Sequence, residues 1–226
     1  MRATQTYIVD LRKLERQAEA TLVIRLMRAA DDIALANWGL GEFTKDQPRL
    51  KRHVQEGARR YFVRLQCGHA AEAIKLIDEV KKSQRLASLL PKCADFAQDA
   101  FGRLVQYVPR GSRRRNFEQW VKSIRDKAAF HYDPRLVAAA LSDRARHSST
   151  SRCTITRGTA IDLWRSGLAD DIEDSIVCRQ VWQIPPSADV RAEANKILEF
   201  ASALCRDYLD FSGELTFLFL RETATV

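Results

Sequence analysis

Hydrophobic periodicity is the strongest constraint on this chain. From Tyr7 to about Trp38, apolar residues recur at Ile8, Leu11, Ala18, Leu22, Leu26, Ala29 and Ile33. Steps of three, four and seven put these side chains on one face of a helix, and Gly39 and Gly41 predict its end. A helix of some eight turns commonly forms the spine of a bundle. Leu50, Val54, Ala58, Tyr61 or Phe62, and Leu65 predict a second helix that stops near Gly68. Its other face carries Arg49, Lys51, Arg52, Arg59, Arg60 and Arg64. The plainer reading of that face is a solvated one, and an RNA-facing surface comes second. A third helix is expected from His69 to about Leu90, before Pro91, and a fourth from about Lys92 to Val108.

Pro109 and Gly111 break the pattern in PRGSRRRN, where Arg110, Arg113, Arg114 and Arg115 crowd together. Asn116 is suited to cap the next helix, NFEQWVKSIRDKAAFHY, which should stop at Tyr132 because Asp133 precedes a proline. Asp133 and Pro134 suit the N-cap and first position of a further helix through LVAAAL. In HSSTSRCTITRGT the run CTITR alternates like a short strand. Residues 161–184 fit either a helix or, over SIVCRQVWQI, an edge strand ended by Pro185 and Pro186. Ser187 opens a last long helix that closes near Gly213. The expectation is one all-α domain over residues 1–226, a helical bundle with long N- and C-terminal helices and room for a short β-hairpin around 150–185.

Composition narrows the function classes. With 46% apolar and 29% charged residues, the chain can build a packed core and suits a soluble, cytoplasmic protein. MRATQTYIVDLRKLER lacks the apolar segment of a signal peptide, and no apolar run nears the 18 residues or so that span a bilayer, so no membrane partner is expected. Cys67, Cys93, Cys153, Cys178 and Cys205 are scattered without a C-x-x-C pair, which reads as reduced, mostly buried thiols. Four histidines with no metal-ligand spacing make neither a zinc site nor a cofactor an expectation. A net charge of +8 favours a polyanionic partner such as RNA, although many basic proteins bind none.

One stretch carries chemistry: Arg125 to Asp133, RDKAAFHYD. Spacing alone is weak. With 27 arginines, four histidines and three permitted gaps, chance supplies about 1.4 such Arg/His pairs, and Arg64 with His69 is a second one. Context separates them. Arg125 is followed by polar Asp126, an unbroken helical pattern, and then His131 flanked by Phe130, Tyr132 and Asp133. After Arg64 comes apolar Leu65, and Gly68 is expected to interrupt the helix.

The string resembles the Arg-Asn/Asp-Lys-x-x-Phe-His-Tyr-Asp signature of the HEPN superfamily of helical-bundle proteins, many of which cleave RNA. The resemblance covers about nine residues, and the rest of the chain agrees in class only. It implies a metal-independent endoribonuclease, a homodimer that brings two motif copies together, and a prokaryotic defence or toxin–antitoxin setting with a cognate antitoxin as a further partner. The alternative it leaves is a non-catalytic module of the same family that binds nucleic acid, a nucleotide or a partner protein. A third reading is a helical scaffold. The stripe Phe117, Trp120, Val121, Ile124, Ala128 reaches position 131, where a buried, hydrogen-bonded histidine would be unremarkable.

On the catalytic reading, His131 supplies the base for the ribose 2′-OH and then the acid for the leaving 5′ oxygen, because imidazole titrates near neutrality. Arg125 stays charged and forks onto phosphate oxygens. Asp126 orients either group, and Tyr132 hydrogen-bonds phosphate or ribose. Six residues of α-helix turn by about 240°, so Arg125 and His131 do not share a face in α geometry. The run Arg110, Arg113, Arg114, Arg115 lies roughly 15–20 Å from His131 by helix rise. There it would track a bound strand through its phosphates; a solvated loop is the plain alternative.

Overall fold

A computed structural model of the protein describes residues 8–45, 52–129, 133–147 and 167–224. Among these residues the regular structure is helical throughout, with no strand, as the periodicity predicts. The helices are α1 (Leu11–Glu15), α2 (Ala20–Thr44), α3 (Arg52–Lys82), α4 (Gln84–Leu89), α5 (Asp95–Leu104), α6 (Arg114–Phe117), α7 (Pro134–His147), α8 (Gly167–Ser175) and α9 (Val190–Thr223). A 3₁₀ turn, Leu90–Lys92, separates α4 from α5. Helix α6 runs on into π-helical segments at Glu118–Lys122 and Arg125–Ala129, and α8 into a third at Ile176–Val181. None of the described helices is long and apolar enough to cross a membrane.

The chain packs as two compact units. The first comprises residues 1–34, 72–114 and 204–226; the second comprises residues 35–71 and 115–203.

In the first unit, Val23, Leu26 and Ile33 of α2 are fully buried, as are Ile74, Ile77 and Val80 of α3 and Tyr208, Phe211 and Phe219 of α9. Tyr208 donates its hydroxyl proton to the Leu26 carbonyl at 3.2 Å, so the phenol is buried without an orphaned donor. Burial raises its pKa above the ordinary phenol value. Bidentate pairs Arg25–Glu79 (2.6 and 2.8 Å) and Arg103–Asp207 flank this core.

The second unit buries Phe117, Val121 and Ile124 of the motif helix with Ile172, Ile176, Val181, Ile197 and Ala201. Trp182 donates its indole N–H to the Trp120 carbonyl at 3.0 Å, and Trp120 meets Phe200 edge to face at 5.1 Å.

Several expected boundaries move, for physical reasons. The first helix is not continuous, because the chain turns at residues 16–19. Leu14 of α1 and Ala20 of α2 both face inward across that turn, while Ile8 and Leu11 of the expected stripe are 73% exposed. Neither Gly39, Gly41 nor Gly68 ends a helix. No described glycine has a positive φ, the conformation that a glycine C-cap uses. Gly39 instead makes room, since a Cβ there would fall on the Phe62 ring. Because α3 is unbroken from Arg52 to Lys82, Arg64 and His69 lie on one continuous helix, and the expected interruption between them is absent.

Asn116 lies inside α6 rather than capping it, and Asp189 rather than Ser187 caps α9, accepting from Arg191 N and Ala192 N at 2.9 and 3.1 Å. Helix α9 continues through Gly213 to Thr223. Within the 150–185 region, residues 167–181 are helical rather than a strand, and CTITR lies outside the described residues.

Gly39→Ala should lower the unfolding free energy by about 1–2 kcal/mol, because crowding of the Phe62 ring outweighs the roughly 1 kcal/mol gain in helix propensity. Phe62 is held by stacking on Phe43 at 5.7 Å. Urea denaturation of Gly39→Ala and of Gly39→Ala/Phe62→Leu checks this; most of the loss should be recovered in the double variant.

Candidate functional site

The motif helix begins in α geometry and widens. Its apolar residues Phe117, Val121 and Ile124 anchor one side in the core of the second unit, which leaves Arg125 half-buried on the following π-helical segment. Such i→i+5 turns are rare and often occur at functional positions. They also change the azimuth per residue, so the 240° offset expected from α geometry does not carry beyond Ile124.

Arg125 donates through Nη1 to Asp126 Oδ1 at 2.7 Å, and Lys122 Nζ donates to Asp126 Oδ2. Burial pushes the Asp126 carboxyl up, but hydrogen bonds from Lys122 and then Arg125 outweigh it and hold the group below the ordinary carboxylate value. Asp126 is therefore an anion at neutral pH, a tether for Arg125 rather than a carrier of protons. Lys127 is exposed. His131 and Tyr132 lie outside the described residues. Asp133 caps α7 as expected: Oδ1 accepts from Arg135 N at 2.9 Å, and the Arg135 guanidinium bonds the same carboxylate. These hydrogen bonds hold Asp133 below its ordinary value.

The arginine run is only partly available to a ligand. Arg114 donates to the Tyr107 carbonyl at 3.0 Å, and Arg113 N to the Gln106 carbonyl at 2.9 Å, so both help to close the turn between α5 and α6. Gly111 is required there, because a Cβ would overlap the Gln106 carbonyl. Arg110, with φ of 70°, and Arg115 are exposed, as is the Arg113 side chain.

The second unit also holds a cavity of about 540 Å³ that the motif did not point to. Arg59, Arg60 and Arg64 of α3, Arg144 of α7, the carboxylates of α8 and Arg179 line it. Most of these cations are matched. Arg60 Nε meets Asp174 at 2.9 Å, Arg64 pairs with Glu173, and Arg144 meets Asp171 at 3.0 Å. Arg59 donates to the Phe43 and Thr44 carbonyls at 2.7 and 2.8 Å, and Arg179 to those of Ile184 and Pro185, both at 2.8 Å. Of the expected basic face, Arg59, Arg60 and Arg64 are thus committed to protein partners rather than open to RNA. A signal for this pairing existed in the sequence: Arg60 and Arg64 are four apart, and so are Asp170 and Asp174, with Glu173 on the same helical face. Ile124 lines the cavity, whereas Arg125 is not among the lining side chains.

Burial raises the Asp174 carboxyl to about 6; Arg60 opposes that, and Asp171, Asp170 and Glu173 add to it. Burial pushes the Cys93 and Cys178 thiols up to about 11 and the Cys205 thiol to about 12. Cys67, Cys93, Cys178 and Cys205 form no disulfide with one another, and Cys153 lies outside the described residues.

The fold and motif thus define an all-α protein with a tethered arginine on a widened helical turn. No protein-family model, curated protein or solved structure matches the chain.

Native Asp174 binds its proton more tightly than the unfolded chain, where such a carboxyl titrates near 3.8. Between those values the native state holds more protons, so the cost of ionising Asp174 is absent below pH 4 or so and fully present above about pH 6. The change in melting temperature caused by Asp174→Asn should therefore be more favourable at pH 8 than at pH 4, because the loss of the Arg60 pair is offset by the removed ionisation cost only at the higher pH. Thermal unfolding at the two pH values checks this, and a larger gain at pH 4 would contradict it.

Proposed function

We propose that the protein is a metal-independent endoribonuclease of the HEPN type, acting as a homodimer through Arg125 and His131. The observation that carries the reading is RDKAAFHYD set in an all-α chain, with Arg125 half-exposed on a π-helical turn and its guanidinium held by an ionised Asp126. Asp126 holds the Arg125 guanidinium in place, and a guanidinium fixed in advance loses little freedom on binding a phosphate.

In the proposed reaction, neutral His131 takes the 2′-OH proton and the oxygen attacks the adjacent phosphorus. The P–O5′ bond breaks with the proton returned to O5′, and Arg125 stabilises the charge that builds on the phosphorane. Tyr132 hydrogen-bonds phosphate or ribose, and exposed Arg110, Arg113 and Arg115 supply sequence-blind contacts to the strand. A prokaryotic toxin–antitoxin or defence role, with a cognate antitoxin, and a cytoplasmic location belong to the same proposal.

The non-catalytic alternative is a related module that binds a nucleotide, nucleic acid or partner protein. The observation in its favour is the arginine-lined cavity, which Arg125 does not line.

Incubation of the pure protein with end-labelled RNA in EDTA separates the two readings. Cleavage is expected from the wild type and should fall at least about 100-fold in His131→Ala, as loss of a general acid–base implies. Arg125→Ala should fall comparably, with melting temperatures within a few degrees of the wild type. Equal activity in wild type and variants would remove the site assignment, and RNA binding without cleavage would favour the module.

A further inference from the structure

The cavity in the second unit has an uneven charge balance. Among the described residues five arginines and four carboxylates line it, and three of the arginines face carboxylates directly. Among the described residues the other two, Arg59 and Arg179, are held only by backbone carbonyls, which fix a guanidinium without cancelling its charge. Arg179 spends both Nη1 protons on the Ile184 and Pro185 carbonyls. Its Nε and Nη2 have no acceptor among the described residues, and these form the edge of a guanidinium that receives the two oxygens of a carboxylate side by side.

On the α9 wall, Val190, Ala194 and Leu198 recur every four residues, as one helical row, and each is only half-buried despite lining a concavity. Trp182 adds an aromatic surface. The volume, about 540 Å³, lies in the range of small-molecule sites. A polyanion would have to pull arginines away from their carboxylates, at the cost of stranding those carboxylates in a partly buried site. One negative charge fits without disturbing any pair.

We propose that this cavity binds a small amphiphilic monoanion, a carboxylate on an apolar chain or ring. The carboxylate lies on the Nε–Nη2 edge of Arg179, and the apolar body lies along Val190, Ala194 and Leu198. The site is independent of the RNA-cleaving motif and stands or falls separately from it.

Isothermal titration of the full chain with decanoate, and with 1-decanol as its uncharged match, tests the proposal at pH 7.5. Decanoate is expected to bind at one equivalent and more tightly than decanol. Arg179→Gln should weaken decanoate by about tenfold or more, the scale of one charge-assisted hydrogen-bonded pair, and leave decanol within about twofold. Arg179 also braces the chain at Ile184 and Pro185, so Ala194→Phe provides a second variant that fills the cavity and touches no ion pair. It should abolish binding of both probes. No saturable decanoate binding in the millimolar range, decanol binding as tightly as decanoate, or decanoate affinity unchanged by Ala194→Phe would each overturn it.

Discussion

The second unit depends on a row of ion pairs that it cannot do without. Helix α3 brings Arg60 and Arg64 into partly buried surroundings, with the Arg64 side chain only 16% exposed. Guanidinium groups placed so would cost several kcal/mol unpaired. Helix α8 answers with Glu173 and Asp174, and with Asp170 at a longer 3.9 Å. Only a helix sets 170, 173 and 174 on one face; in a strand, position 173 would point away from the other two. The charge match therefore supports the same helix that Leu168, Ile172 and Ile176 fit by their spacing. At one end of the row burial raises the Asp174 carboxyl, and the neighbouring Asp171, Asp170 and Glu173 add to the rise.

These pairs also change what a net charge of +8 means. A basic stripe on α3 looks in sequence like a surface for polyanions, yet Arg59, Arg60 and Arg64 are spent on carbonyls and carboxylates within the unit. The arginine run before the motif helix is divided in the same way, with Arg114 closing a turn and Arg110 and Arg115 left exposed. Charge that reads as binding capacity in one dimension is partly structural in three.

The sequence made the helical class legible because burial repeats every three or four residues. It placed the Asp133 cap correctly because an aspartate before a proline has few other uses. It failed at glycines: Gly39 and Gly68 read as stops, but at Gly39 close packing against Phe62 is a second reason for a glycine, and periodicity cannot tell the two apart. It also failed at the π-helical segments, since a single widened turn leaves the apolar stripe Phe117, Val121, Ile124 intact and so leaves no trace in the pattern. The cavity was invisible for a different reason. Its lining comes from α3, α7, α8 and α9, and only the matched four-residue spacing of Arg60/Arg64 and Asp170/Asp174 hinted at the pairing behind it.

For the motif itself, the unbroken α3 removes one of the contrasts that set Arg125 and His131 apart from Arg64 and His69. What remains is local chemistry: Arg64 is paired with Glu173 beside the cavity, whereas Arg125 is tethered to its own neighbour Asp126 on a widened turn. The proposed cleavage makes the 2′-OH of the RNA the nucleophile, and that is its most exposed commitment. An oligoribonucleotide cut at one mapped position, compared with the same strand carrying a single 2′-deoxynucleotide 5′ to the scissile phosphate, tests it directly. The account predicts that cutting at that phosphate disappears and continues elsewhere. Undiminished cutting at the substituted position would contradict it.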